Sequence, residues 1–118
     1  MARILIVDDE PDLRGMVRLG LQLAGHEVLE AHHGAAVLER LRQEHVELLV
    51  TDVMMPVMDG NQLVEQVRAD PERANLRIIV LSASPHNVER ADVVMRKPFA
   101  PAALRRTVTD LLGADAGA

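Results

Sequence analysis

Two adjacent acids, Asp8 and Asp9, directly follow the apolar run Ile4-Leu5-Ile6-Val7, and a third, Asp52, directly follows Leu48-Leu49-Val50-Thr51. Ser82 follows Ile78-Ile79-Val80-Leu81, and Lys97 follows Val93-Val94-Met95 after one arginine. This lysine is conspicuous, because the other 12 of the 13 basic residues are arginine. Carboxylates brought together repel one another. Two like charges about 4 Å apart cost roughly 4 kcal/mol at an effective dielectric of about 20. A cation or a raised carboxyl pKa must offset that cost. An all-oxygen ligand set favours Mg2+ or a similar hard ion, which keeps coordination positions for water or phosphate. A carboxylate nucleophile, a cation, an amine and a hydroxyl are together what phosphoryl transfer to a carboxylate requires.

The elements that must position these groups alternate between short apolar runs and helical patterns, the signature of βαβ units and a mostly parallel sheet. Strands are predicted over Arg3 to Val7, Glu27 to Ala31, Leu48 to Thr51, Arg77 to Leu81 and Val93 to Met95. The first helix is predicted from Pro11 to Ala24, with Pro11 suited to a first turn and Gly25 to a C-terminal cap. Further helices are predicted from Ala35 to Gln43, from Asn61 to Ala69 and from Pro101 to Leu112, the last stopping before Gly113 with a frayed tail behind it. The expected fold is α/β, a flavodoxin-like three-layer sandwich whose five-stranded parallel sheet runs in the order 2-1-3-4-5. In such a sheet ligands bind beyond the carboxyl ends of the strands, near the point where strand order reverses. Strands one and three meet at that point, so Asp8, Asp9 and Asp52 are expected to converge.

Composition narrows the alternatives. The 118 residues are one domain's worth, residues 1–118 forming a single unit. The 48% hydrophobic content allows a substantial core, and no apolar run approaches membrane-spanning length. The net charge is −5 and the only aromatic residue is Phe99, which disfavours direct nucleic-acid binding and a base-stacking surface. There is no cysteine, hence no disulfide framework and no thiolate metal site, which fits a reducing cytoplasm.

Four segments resemble the receiver domains of two-component response regulators, the chemotaxis regulators among them. Ile4-Leu5-Ile6-Val7-Asp8-Asp9-Glu10-Pro11 is similar to the family's opening strand and acidic pair, and Asp52-Val53-Met54-Met55-Pro56-Val57-Met58-Asp59-Gly60 to the segment around its phosphoacceptor. Leu81-Ser82-Ala83 resembles its switch hydroxyl, and Lys97-Pro98-Phe99 its lysine motif. The resemblance implies a phosphorelay module that accepts a phosphoryl group on Asp52 from a histidine kinase or histidine phosphotransfer protein. It implies Mg2+ held by Asp8, Asp9, Asp52 and the backbone carbonyl of Met54. Ser82 would hydrogen-bond the arriving phosphoryl group, Lys97 would pair with an acceptor carboxylate or a phosphoryl oxygen, and Lys97-Pro98 would be cis. Such a domain catalyses its own phosphorylation and dephosphorylation rather than turning over a separate substrate.

The chain departs from the family pattern twice. Val94 stands where the family usually carries an aromatic ring that changes rotamer on activation. The span from Ser82 to Lys97 is short by roughly seven residues, about two helical turns, so a shortened fourth helix and an atypical output surface are expected. A pseudo-receiver that binds partners without switching is the alternative. A haloacid-dehalogenase-type phosphatase fits less well, because that class resembles Asp-x-Asp after its first strand and this chain has Asp8-Asp9-Glu10 there. Elsewhere the residues carry ordinary readings. His26, His32, His33, His45 and His86 read as turn or surface residues, Met54, Met55 and Met58 as packing, and Arg105-Arg106 as a solvated helix face.

Overall fold

The computed structural model describes residues 2–53, 58–73, 75–83 and 90–116. Five parallel strands, β1 (Arg3–Val7), β2 (Glu27–Ala31), β3 (Leu48–Asp52), β4 (Arg77–Ser82) and β5 (Val93–Arg96), lie in the order β2-β1-β3-β4-β5. The flavodoxin-like sheet order read from the sequence is therefore the observed one. Helices α1 (Pro11–Leu23), α2 (Gly34–Gln43), α3 (Gly60–Ala69) and α4 (Pro101–Ala116) connect or follow the strands, with a short 3-10 turn at Pro71–Arg73. The expected shortened helix between β4 and β5 falls in residues 84–89, outside the described residues.

Strand alternation divides the core into two layers. Leu5 and Val7 face one way and pack with Val37 and Leu41 of α2 and Leu63, Val64 and Val67 of α3. Ile4 and Ile6 face the other way and pack with Val17 and Leu21 of α1 and Leu104 and Val108 of α4. The three central strands are buried on both faces, which is why they read as unbroken apolar runs. Each fully buried Leu or Ile contributes about 1.5–3 kcal/mol.

Helix boundaries follow local chemistry. Gly25 adopts φ +95 just after α1, a conformation glycine reaches without steric cost. His33, expected as a turn or surface residue, caps α2 by accepting the Ala36 N–H at 3.2 Å. Asp59 and Gln62 form a reciprocal capping box at the start of α3. The one clear difference lies in α4, which runs through Gly113 to Ala116 instead of stopping before the glycine. Glycine lowers helix stability by about 1 kcal/mol but does not bar helical dihedrals.

His26 precedes β2, and its Nδ1 accepts the Ala2 N–H at 3.2 Å. Burial and the positive amino terminus lower its pKa below 6.5, with Glu47 opposing. A pKa depressed by folding favours the neutral imidazole. The associated stability is present above the unfolded value and is lost as pH falls through the folded one. Urea unfolding at pH 7 and pH 5 is expected to show a loss of stability on acidification that is smaller in His26→Gln.

Candidate functional site

The register of the sheet builds the pocket. Val7 pairs with Thr51 across β1 and β3, so the next residues along the two strands, Asp8 and Asp52, emerge side by side at the carboxyl end of the sheet. Their side chains are only 2% and 5% exposed. β5 ends at Arg96, and the Lys97 N–H donates to the Ser82 carbonyl at 2.7 Å, which ties the lysine to the end of β4. The Lys97-Pro98 peptide is cis. Lys97 Nζ lies 3.3 Å from Asp8 Oδ2 and 3.3 Å from Asp52 Oδ2, donating a hydrogen bond to Asp8. One ammonium from the end of β5 thus bridges two buried carboxylates from the ends of β1 and β3.

Electrostatics keep that ammonium charged. Burial on its own lowers the Lys97 pKa, but attraction to Asp8 and Asp52, with the hydrogen bonds to them, outweighs burial and leaves it above the usual lysine value. A single positive charge cannot neutralise the two buried acids and the further acid beside them. Glu10 Oε1 stands 3.9 Å from Lys97 Nζ, and ligand oxygens of Asp8, Glu10 and Asp52 all lie within 4.8 Å of one another. Three carboxylates offering hard oxygen donors within that distance form a set able to hold a divalent cation such as Mg2+.

The members only partly match the sequence expectation. Asp8, Asp52 and Lys97 come together. Asp9 is exposed and lies outside the close carboxylate group, whereas Glu10 belongs to it. Glu10 is the N-cap residue of α1, yet its side chain makes no capping hydrogen bond and approaches Lys97 instead. The visible signal was its place between the acid pair and the helix-starting Pro11; its rotamer was not legible. Ser82 is buried at the end of β4. Met54 lies outside the described residues, as do Met55, Pro56 and His86. Val94 is 39% exposed on β5.

A cleft of about 390 Å³ opens beside Lys97, lined in part by Leu13, Met16, Ala83, Pro98 and Phe99. A second cleft of about 450 Å³, with Leu41, Val46 and Arg73 in its wall, adjoins none of these pocket residues and has no part in their chemistry.

Gly60 allows α3 to start against the end of β3. Its N–H donates to the Val53 carbonyl at 2.8 Å. A Cβ there would fall 2.6 Å from the Asp52 backbone oxygen and 2.8 Å from Val53 Cα. Both obstacles are backbone, so neither can rotate away. Gly60→Ala is expected to lose about 1–3 kcal/mol by overpacking, measured by urea unfolding, and to shift the amide resonances of Asp52 and Val53.

Residues 4–109 match the response regulator receiver domain family. The chain belongs to the response regulator receiver family. This receiver, a module of two-component signalling, is 35% identical to a chemotaxis protein CheY homolog of Campylobacter jejuni, covering 98% of this chain and 95% of that protein. It is 39% identical to the sensor histidine kinase TmoS of Ectopseudomonas mendocina, covering 93% of this chain but only 12% of that protein's length. Among solved structures, TrrA of Thermotoga maritima in complex with Mg2+-BeF superposes with TM-score 0.86 at 30% identity, covering 94% of this chain and 99% of that one. A chemotaxis response regulator of Vibrio cholerae superposes with TM-score 0.87 at 32% identity, covering 94% and 98%. No helix among the described residues is long and apolar enough to cross a membrane.

Proposed function

We propose that this receiver accepts a phosphoryl group on Asp52 in a Mg2+-dependent reaction, with a histidine kinase or histidine phosphotransfer protein as donor. The observation that carries the reading is the Lys97 ammonium set between two buried carboxylates, 3.3 Å from each. A cation held beside these acids offsets their mutual repulsion and leaves the Asp52 carboxylate as the nucleophile.

In the forward step a carboxylate oxygen of Asp52 bonds to phosphorus, the donor's N–P bond breaks, and the leaving imidazole keeps the bonding electrons and takes up a proton. Lys97 supplies positive charge to the phosphoryl oxygens as the bond to Asp52 forms. Ser82, at the end of β4, donates its hydroxyl to the phosphoryl group once it has arrived. Asp8, Asp9 and Asp52 would hold the ion together with the Met54 carbonyl, and Glu10 stands close enough to join them. Bound Mg2+ would spread the charge of the transferring group. Hydrolysis of the acyl phosphate in the same pocket returns Asp52 to its free state.

TrrA's complex with Mg2+-BeF supports the metal assignment by similarity. A protein donor is supported by the exposed apolar side chains Met16, Leu19 and Leu23 along α1, the first of which lines the cleft beside Lys97. The absence of cysteine fits a reducing compartment such as the cytoplasm.

Incubation with acetyl phosphate is expected to add one phosphoryl group in the presence of Mg2+ and none with a chelator. Peptide mass mapping is expected to place it on Asp52. A wild type that stays unlabelled under varied donors and Mg2+ concentrations would refute the reading.

Val94 favours a second reading, in which this receiver binds partners without a propagated switch. Valine has no ring to report a change at Ser82. Amide spectra with and without beryllofluoride separate the two: shifts reaching β5 and α4 support switching, and shifts confined to the pocket support the alternative.

A further inference from the structure

The acidic turn after β1 is held from behind by a charged clamp. Arg14, in α1 and with a side chain 11% exposed, sends Nη1 to the Asp8 backbone carbonyl at 2.6 Å and Nε to Glu30 Oε1 at 3.0 Å. Glu30 sits on β2 opposite Ile6, and its second oxygen accepts from Arg18 Nη1 at 2.9 Å. The Asp8 carbonyl lies beyond Val7, where β1 ends, so Arg14 takes hold of the backbone where the ladder of β1 and β2 stops. The carboxylate of the same residue is fixed on its other sides, Oδ1 by the Glu10 N–H at 2.8 Å and Oδ2 by Lys97 Nζ at 3.3 Å.

These contacts have an electrostatic logic. Asp8 is nearly buried and must hold a negative charge close to Asp52, so small displacements of its backbone change the distance between like charges. A guanidinium presents donors in a rigid planar fork, and here two of its nitrogens serve two acceptors on different elements, a task an ammonium cannot copy. Glu30 fixes the fork's orientation, and Arg18 holds the other oxygen of Glu30.

We propose that Arg14, oriented by Glu30, is a positioning residue for the phosphoacceptor pocket: it fixes the backbone of Asp8 and thereby sets the pocket's affinity for a divalent cation. The inference rests on the reading of the pocket given above. Residues that orient metal-binding groups without touching the metal typically change affinity by about 10- to 100-fold.

The test titrates Mg2+ into the full chain by calorimetry and measures urea unfolding of each variant without Mg2+. Arg14→Ala and Glu30→Ala are expected to weaken Mg2+ binding by about 10- to 100-fold. The double variant is expected to bind no more weakly than Arg14→Ala, because Glu30 acts through Arg14. Arg14→Lys keeps the charge but not the fork and is expected to weaken binding by about tenfold; it decides the question if Arg14→Ala does not fold. Arg42→Ala, which removes an exposed pair with Glu39, is the control and should leave affinity unchanged. A merely structural clamp would lower the urea midpoint while the folded variants bound Mg2+ like the wild type, and that result overturns the proposal. A wild type that binds no Mg2+ overturns the reading of the pocket itself, a distinguishable outcome.

Discussion

Asp52→Asn is expected to take up no phosphoryl group from acetyl phosphate under conditions that label the wild type, and to keep its fold. The substitution changes shape very little but removes the negative charge and the nucleophilic oxygen. Amide oxygen is too poor a nucleophile to substitute for carboxylate in this step. Stability is expected to stay within about 1 kcal/mol of the wild type, because the change also removes one of two like charges that share Lys97. The Asp8–Lys97 pair at 3.3 Å remains. Intact mass after incubation checks the first part and urea unfolding the second. Labelling of Asp52→Asn at the wild-type rate would move the acceptor to another residue and sink the assignment.

Lys97→Met carries the second large effect, and its direction depends on the cation. In Mg2+-free buffer at neutral pH the variant leaves Asp8 and Asp52 buried as like charges with no ammonium between them. Removing one partner from a buried charge set typically costs about 3–5 kcal/mol. Mg2+ restores part of this loss by supplying the missing counter-charge, so saturating Mg2+ should raise the melting temperature of Lys97→Met more than that of the wild type.

The alkaline side has a defined sign. The folded pKa of Lys97 lies above its unfolded value. Its contribution is therefore complete below the unfolded value and fades only as pH rises through the folded one. Labelling of Lys97→Met by acetyl phosphate should fall about a hundredfold or more even with Mg2+ present, because the charge proposed to meet the developing phosphoryl oxygens is gone. A variant as stable as the wild type without Mg2+, and equally responsive to it, would show that the ammonium does not hold the acids together.

The groups that make up the pocket announced themselves through position. Strands buried on both faces must be apolar throughout, so a charged or hydroxylic residue at the end of such a run marks where the chain leaves the sheet. Asp8, Asp52 and Ser82 were legible for that reason, and Lys97 because it follows the short apolar run of β5 as the single lysine of the sequence. Most element boundaries followed from the same periodicity and from proline and glycine. Gly113 misled because glycine can remain helical when nothing at that point requires a positive φ.

What the chain's order of residues determined by itself was the layered α/β fold, the sheet order and the presence of acids and one lysine at strand ends. Hydrophobic periodicity is a local property that sets the strands, the helices and the residues at strand ends, whereas the sheet order was read from their βαβ alternation and the strand order common to such folds. Only the tertiary structure decided that Glu10 rather than Asp9 joins the close carboxylate group, that Arg14 reaches back to the Asp8 carbonyl, and that Gly60 must lack a side chain beside Asp52. Each of these depends on a rotamer or on a separation of a few ångström between elements distant in sequence, and such distances exist only once the layers have packed.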